Sequence, residues 1–175
     1  MLRRGRFLTG QQDEELGVKD VAWITPSGDE MQPAHWTDAN ARCMGVLLDG
    51  RAQETGIRRV GTDATLLLVT NAHHDVVRFT LPSAPGGEEW VCLIDTNQAE
   101  LNSMPRFRFG HIYEVTGRSL LLLMLRPEPG IRSGGEADKS FDHVVDVLQR
   151  LTDGRKIKRL HLVSGLVEDA SHNRI

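Results

Sequence analysis

Short apolar runs recur along residues 1–130, and each is cut off by Gly, Pro, Asp or Asn. Asp20 to Ile24 ("DVAWI") is ended by Pro26-Ser27-Gly28-Asp29. That is a strong turn signal, because proline presets φ and glycine accepts positive φ. Cys43 to Leu48 ("CMGVLL") is closed by Asp49-Gly50. Thr65 to Thr70 ("TLLLVT"), Val76 to Leu81 ("VVRFTL") and Trp90 to Ile94 ("WVCLI") follow, the second of these alternating in polarity. Tyr113 to Val115 and Leu120 to Leu125 form a further pair around Gly117-Arg118. No long amphipathic helix separates consecutive runs. The rhythm predicts an all-β, antiparallel β-sandwich rather than alternating βα units.

One polar interruption carries groups capable of chemistry. "NAHHDVVRFTLP", Asn71 to Pro82, places His73, His74 and Asp75 between two of the runs. So short a connection predicts a hairpin of antiparallel neighbours. Asn71 and Asp75 suit a turn because their side chains bond nearby backbone. Adjacent residues at a hairpin tip are expected to diverge, so the two imidazoles are expected not to share a metal. No further ligand is close in sequence, and no metal site is predicted.

Residues 131–175 differ in character. "RSGGEA" has linker composition. Asp138 or Ser140 can cap a helix in which Phe141, Val144, Val145, Leu148 and Leu151 form one apolar stripe. Asp153-Gly154 stops it. The expected organisation is a sandwich over 1–130, then a linker with a short helical or mixed C-terminal tail.

Charge and composition narrow the function classes. Twenty-one basic against 24 acidic residues leave a formal net charge of −3. That balance argues against nucleic acid or an anionic membrane as partner. No apolar run has membrane-spanning length, and the basic start lacks the apolar stretch of a signal peptide. Cys43 and Cys92 sit inside apolar runs, as buried free thiols of a reducing compartment would. A cytoplasmic location is expected. No Walker or Rossmann glycine loop and no Gly-x-Ser-x-Gly elbow is present, so no cofactor is predicted.

Five motifs in order carry a family resemblance. They are "LRRGRFLTG" (Leu2 to Gly10), "KDVAWITPSGDEM" (Lys19 to Met31), "HWTDANARCMGVLLDG" (His35 to Gly50), "NAHHDVVRFTLP" and "YEVTGRSLLLLML" (Tyr113 to Leu125). Together they resemble the C-terminal part of bacterial glycogen debranching enzymes of the isoamylase type, glycoside hydrolase family 13 in the α-amylase superfamily. The resemblance implies a β-sandwich that follows a catalytic (β/α)₈ barrel. It also implies that the catalytic carboxylates belong to that barrel, which is missing from this chain. None of them falls on a position here, so no catalytic residue is assigned.

The residues themselves agree. Retaining glycoside hydrolysis needs two carboxyl groups about 5 Å apart flanking a sugar cleft. The acids here lie mostly in predicted turns, where water keeps carboxylates ionised and ordinary. Three roles remain. As a buttress, the sandwich would pack on the missing barrel, with Arg3, Arg4 and Arg6 facing barrel carboxylates and Phe7 and Trp23 filling the seam; solvated arginines are the plainer alternative. As a glucan-binding module, it would offer an exposed aromatic platform. Trp36 fits this best, flanked by His35, Thr37 and Asp38, whereas Trp23 and Trp90 lie in apolar strands that predict core positions. As a protein–protein module, it would dock through the tail helix.

Overall fold

The apolar runs do become strands. In the computed structural model the described residues are 8–12, 17–51, 64–98 and 104–127. The chain divides into a unit Met1–Ser140 and a unit Phe141–Ile175, and every described residue belongs to the first. The expected linker and tail helix lie outside the described residues, as do Arg3, Arg4, Arg6 and Phe7.

Eight strands follow in order: β1 (Val21–Ile24), β2 (Cys43–Leu48), β3 (Leu66–Asn71), β4 (Val77–Thr80), β5 (Gly87–Asp95), β6 (Arg106–Arg108), β7 (Ile112–Val115) and β8 (Ser119–Pro127). One 3₁₀ turn, Pro33–Thr37, joins β1 to β2. Six strands form one antiparallel sheet in the order β1-β2-β3-β8-β5-β6, and β4 pairs with β7 in a second, two-stranded sheet. The predicted all-β sandwich is what forms. The 3₁₀ turn and β6 have no apolar run to announce them; β6 is the polar-flanked "RFR".

The core lies between the two sheets. Ala22, Ile24, Leu67, Val69, Leu121, Leu123, Trp90 and Cys92 come from the large sheet, and Phe79, Tyr113 and Val115 from the small one. The closest approach is at Gly45, where an added Cβ would sit 2.9 Å from the Phe79 ring. Glycine in mid-strand weakens a strand, and here its missing side chain admits the Phe79 ring of the small sheet. Trp90 is fully buried as expected, and its indole N–H donates to the Pro82 carbonyl at 2.7 Å.

Two sequence expectations fail at one corner. "TLLLVT" and "VVRFTL" are not hairpin partners: β3 pairs with β2 and β8, while β4 pairs only with β7. Nor do β7 and β8 pair around Gly117-Arg118. Both connections instead cross from one sheet to the other, β3 to β4 outward and β7 to β8 back. A short connection excludes a long excursion, but it does not force pairing. Facing sheets lie about 10 Å apart, and five residues at about 3.3 Å each reach across.

What favours crossing is the buried amide of Asn71, 2% exposed at the end of β3. Its Nδ2 lies 3.0 Å from the Asp75 carbonyl, 3.0 Å from that of Val115 and 3.1 Å from that of Thr116. Its Oδ1 accepts the His73 N–H at 2.9 Å. The return crossing is tied on when the Arg118 N–H donates to the His73 carbonyl at 2.9 Å. Gly117 makes this possible, since a Cβ there would collide with the His74 carbonyl. One side chain thus satisfies the backbone groups that two strands expose on leaving their sheets.

The acids also depart from the expectation of ordinary, solvated turns. Asp20, Asp49 and Asp95 are buried, and each is taken up by nearby donors. Asp20 accepts the Thr9 and Gly10 backbone N–H groups, both at 2.8 Å. Asp49 holds Arg51 in a two-pronged pair, 2.9 Å from Nε and 2.5 Å from Nη2. Asp95 accepts the Tyr113 hydroxyl at 2.8 Å, which stitches β7 to the end of β5.

Asn71→Ala removes the shared donor and leaves buried carbonyls unpaired, so it should cost on the order of 3 kcal/mol in urea unfolding. Gly117→Ala should also destabilise, whereas Ala72→Ser, at an exposed neighbouring position, should be near neutral.

The two thiols give a pH prediction. Burial pushes Cys43 up to about 11 and Cys92 up to about 12, the Asp95 carboxylate adding to the second. Both should resist a thiol reagent in the folded state at neutral pH and react on unfolding. A thiol whose folded value is raised stays protonated after its unfolded counterpart has ionised. Stability is therefore full below about pH 9 and falls as pH rises from there towards 11–12. Urea midpoints across that range check the sign.

Candidate functional site

The feature with most surface chemistry is the end of the sandwich where the β1–β2 connection meets the Asn71 corner. Thr25 N–H donates to the Asp29 carbonyl at 2.8 Å and closes the expected Pro26–Asp29 turn. That turn is pinned to the small sheet by the Thr80 N–H donating to the Pro26 carbonyl at 2.8 Å. Beyond it the chain enters Pro33–Thr37. The turn starts at Pro33, which needs no donor there, and the Gln32 N–H donates to His35 Nδ1 at 2.9 Å.

This connection has two working sides. On one, Trp36 is 53% exposed and meets Trp23, 38% exposed, edge to face with centroids 5.3 Å apart. Trp36 is thus exposed, as its polar neighbours suggested. Trp23 departs from its expected core position. Register explains this: Trp23 pairs with Val46, which puts Ala22 and Ile24 on the inward face and Trp23 on the outward one. Alternation within "VAWI" could have revealed it had the sheet's inner face been known.

On the other side a groove of about 560 Å³ opens between the connection and the corner. His35, Asp38, Asn40 and Arg42 line it from one wall, His73, Asp75 and the exposed Val76 from the other. Its lining carries two carboxylates, Asp38 and Asp75, against one guanidinium, Arg42, so the groove suits an uncharged polar ligand better than an anion.

At the corner the two imidazoles do not diverge as expected. Their centroids are 4.2 Å apart with planes tilted by 33°. The Asn71 bond turns the backbone at His73, so the strand rule that sends neighbours to opposite faces does not apply there. His74 Nε2 lies 3.1 Å from Asp75 Oδ2, and His73 Nδ1 accepts the Asp75 N–H at 3.1 Å. One ligand atom from each of His73, His74 and Asp75 falls within 4.8 Å of the others.

A hydrolytic centre would need a carboxyl group held proton-ready in a cleft. The acids of this groove, Asp38 and Asp75, are exposed, and the buried Asp49 and Asp95 are engaged by Arg51 and Tyr113. Tyr113 itself is pushed above its usual range by burial and by its bond to Asp95, which suits a structural hydroxyl. The arrangement can bind; it does not assemble an acid and a nucleophile among the described residues. No helix among these residues is long and apolar enough to cross a membrane.

Comparison with known proteins identifies the family. The family described as "Isoamylase, C-terminal" matches residues 20–124. Relatives called "Glycogen operon protein GlgX homolog", from Mycobacterium bovis and from two strains of Mycobacterium tuberculosis, are 35% identical over 131 residues. The match covers 70% of this chain and 18% of each relative, so the chain spans a small part of the proteins it resembles. By the residues matched and by its identity to these relatives, this chain belongs to the isoamylase C-terminal domain family.

Proposed function

We propose that the chain acts as the C-terminal accessory β-sandwich of a glycogen-debranching polypeptide. The catalytic barrel of that polypeptide hydrolyses α-1,6 branch linkages, and this sandwich supports it. The observation that carries the reading is the outward face of the six-stranded sheet. Register lines up Val21, Leu48, Leu66, Met124 and Val91 in one row across five strands. A second row runs Trp23, Val46, Leu68, Leu122 and Ile94. All ten are apolar. A sheet face meant for water alternates with polar residues, whereas strands covered on both faces read as continuous apolar runs, as "LLLLML" does. A barrel surface is the partner we propose for that second, open row. Trp23, with Trp36 on its edge, would sit at the rim of that contact; the proposal has Arg3, Arg4 and Arg6 facing barrel carboxylates and Phe7 helping to fill the seam. The sandwich then comprises residues 1–130, with 131–175 as linker and tail, and a soluble cytoplasmic setting goes with glycogen as the parent's substrate.

A second reading has its own observation. Trp36 presents more than half its surface beside a polar groove, an arrangement that can stack one sugar ring and bond its hydroxyls. An α-glucan contact here would hold substrate near the barrel without chemistry of its own.

The chain alone should release no new reducing ends from a branched dextrin. Mixed with a debranching barrel expressed without its own C-terminal sandwich, it should raise the barrel's melting temperature by several degrees. Trp23→Ala should weaken that association about tenfold, the loss of one aromatic rim contact. Turnover by the isolated chain, or no effect on the barrel, would sink the support role. For the second reading, maltoheptaose should change tryptophan fluorescence in the native chain and leave Trp36→Ala unchanged.

A further inference from the structure

We infer that the crossing corner is a binding site for a borderline first-row divalent cation, Zn²⁺ foremost, held by His73, His74 and Asp75. The inference is independent of the accessory role. It rests on the donors, on their spacing and on the backbone that holds them.

Two imidazoles and a carboxylate are a donor set that Zn²⁺, Ni²⁺ and Cu²⁺ prefer and that Mg²⁺ and Ca²⁺ do not. Tetrahedral zinc bonds of about 2.0–2.1 Å place donors about 3.4 Å apart. His74 Nε2 and Asp75 Oδ2 are already 3.1 Å apart, and His73 Nδ1 lies 4.0 Å from the same oxygen. All three ligand atoms lie within 4.8 Å of one another, so side-chain movement of about 1.5 Å closes the set.

His73 Nδ1 accepts the Asp75 N–H, so its lone pair, not a proton, faces the cluster. Binding exchanges that hydrogen bond for a metal bond at an exposed position, where water can take over the N–H. Water also completes the coordination, since Asp75 and His74 are open to solvent.

Three consecutive ligands on a free loop would have to be ordered at an entropic cost. Here that cost has been met by the fold. Asn71 Oδ1 holds the His73 N–H, Asn71 Nδ2 the Asp75 carbonyl, and Arg118 N–H the His73 carbonyl. The absent side chain of Gly117 seats the His74 carbonyl. The backbone of each ligand residue is thereby fixed before a metal arrives.

The test is titration of the full-length, tag-free chain with Zn²⁺ by calorimetry, with amide NMR shifts locating the site. One equivalent should bind with half-saturation below about 1 mM. The largest shifts should fall on His73, His74 and Asp75. His74→Ala and Asp75→Asn alter exposed side chains, so the metal-free melting temperature should be unchanged. Each should weaken binding at least tenfold, while His35→Ala should not. An excess of Ca²⁺ should fail to compete. Absence of saturable binding overturns the assignment. So does a loss below tenfold in either ligand variant, a comparable loss in His35→Ala, or effective competition by Ca²⁺.

Discussion

The buried carboxamide of Asn71 is the interaction on which the rest of this sandwich depends. Two strands leave the large sheet at the same end, and each must give up ladder hydrogen bonds to do so. Such groups are costly when buried and unpaired. Asn71 answers both crossings with one side chain, donating towards three carbonyls and accepting one N–H. Because the crossings are held together, β4 and β7 emerge side by side and pair as a small second sheet. Phe79, Tyr113 and Val115 then fall on the core, and Phe79 lies over Gly45. The polar corner is therefore the origin of the two-layer architecture, and the reactive-looking histidines are its outer surface.

The same economy governs the charged groups. Asp20 fastens the incoming N-terminal segment, Asp49 clamps Arg51 after β2, and Asp95 joins the two sheets through Tyr113. Glu89 accepts Arg126 at 2.7 Å, with Arg106 3.6 Å away, along the β5 edge. Buried carboxylates in an enzyme are often kept short of partners so that their protonation can change. Here they are given donors. On the outward face of the large sheet, Leu66, Met124 and Val91 are already buried within the chain, while the row through Trp23, Val46, Leu68, Leu122 and Ile94 stays partly exposed.

Much of the fold was legible because strand-forming patterns are local. Seven of the eight strands coincide with apolar runs, and the Pro26–Asp29 turn, buried Trp90 and buried thiols follow from residue type. What misled was the connection length at Asn71–Val77 and at Thr116–Ser119. Short loops suggest hairpins, but loop length limits only distance, and a sandwich offers a second sheet within reach. Trp36 was readable as exposed from its polar neighbours, whereas Trp23 was not. Its tetrapeptide fits either face, and only pairing with β2 selects one.

From the chain alone came the all-β class, the strand inventory, the free thiols and the family, since each depends on residue types and their spacing along one line. The tertiary structure decided which strands share a sheet, which tryptophan meets solvent, that three acids are buried, and that His73, His74 and Asp75 converge. Those outcomes depend on register and on bonds between residues as far apart as Asn71 and Thr116, and no local pattern encodes them.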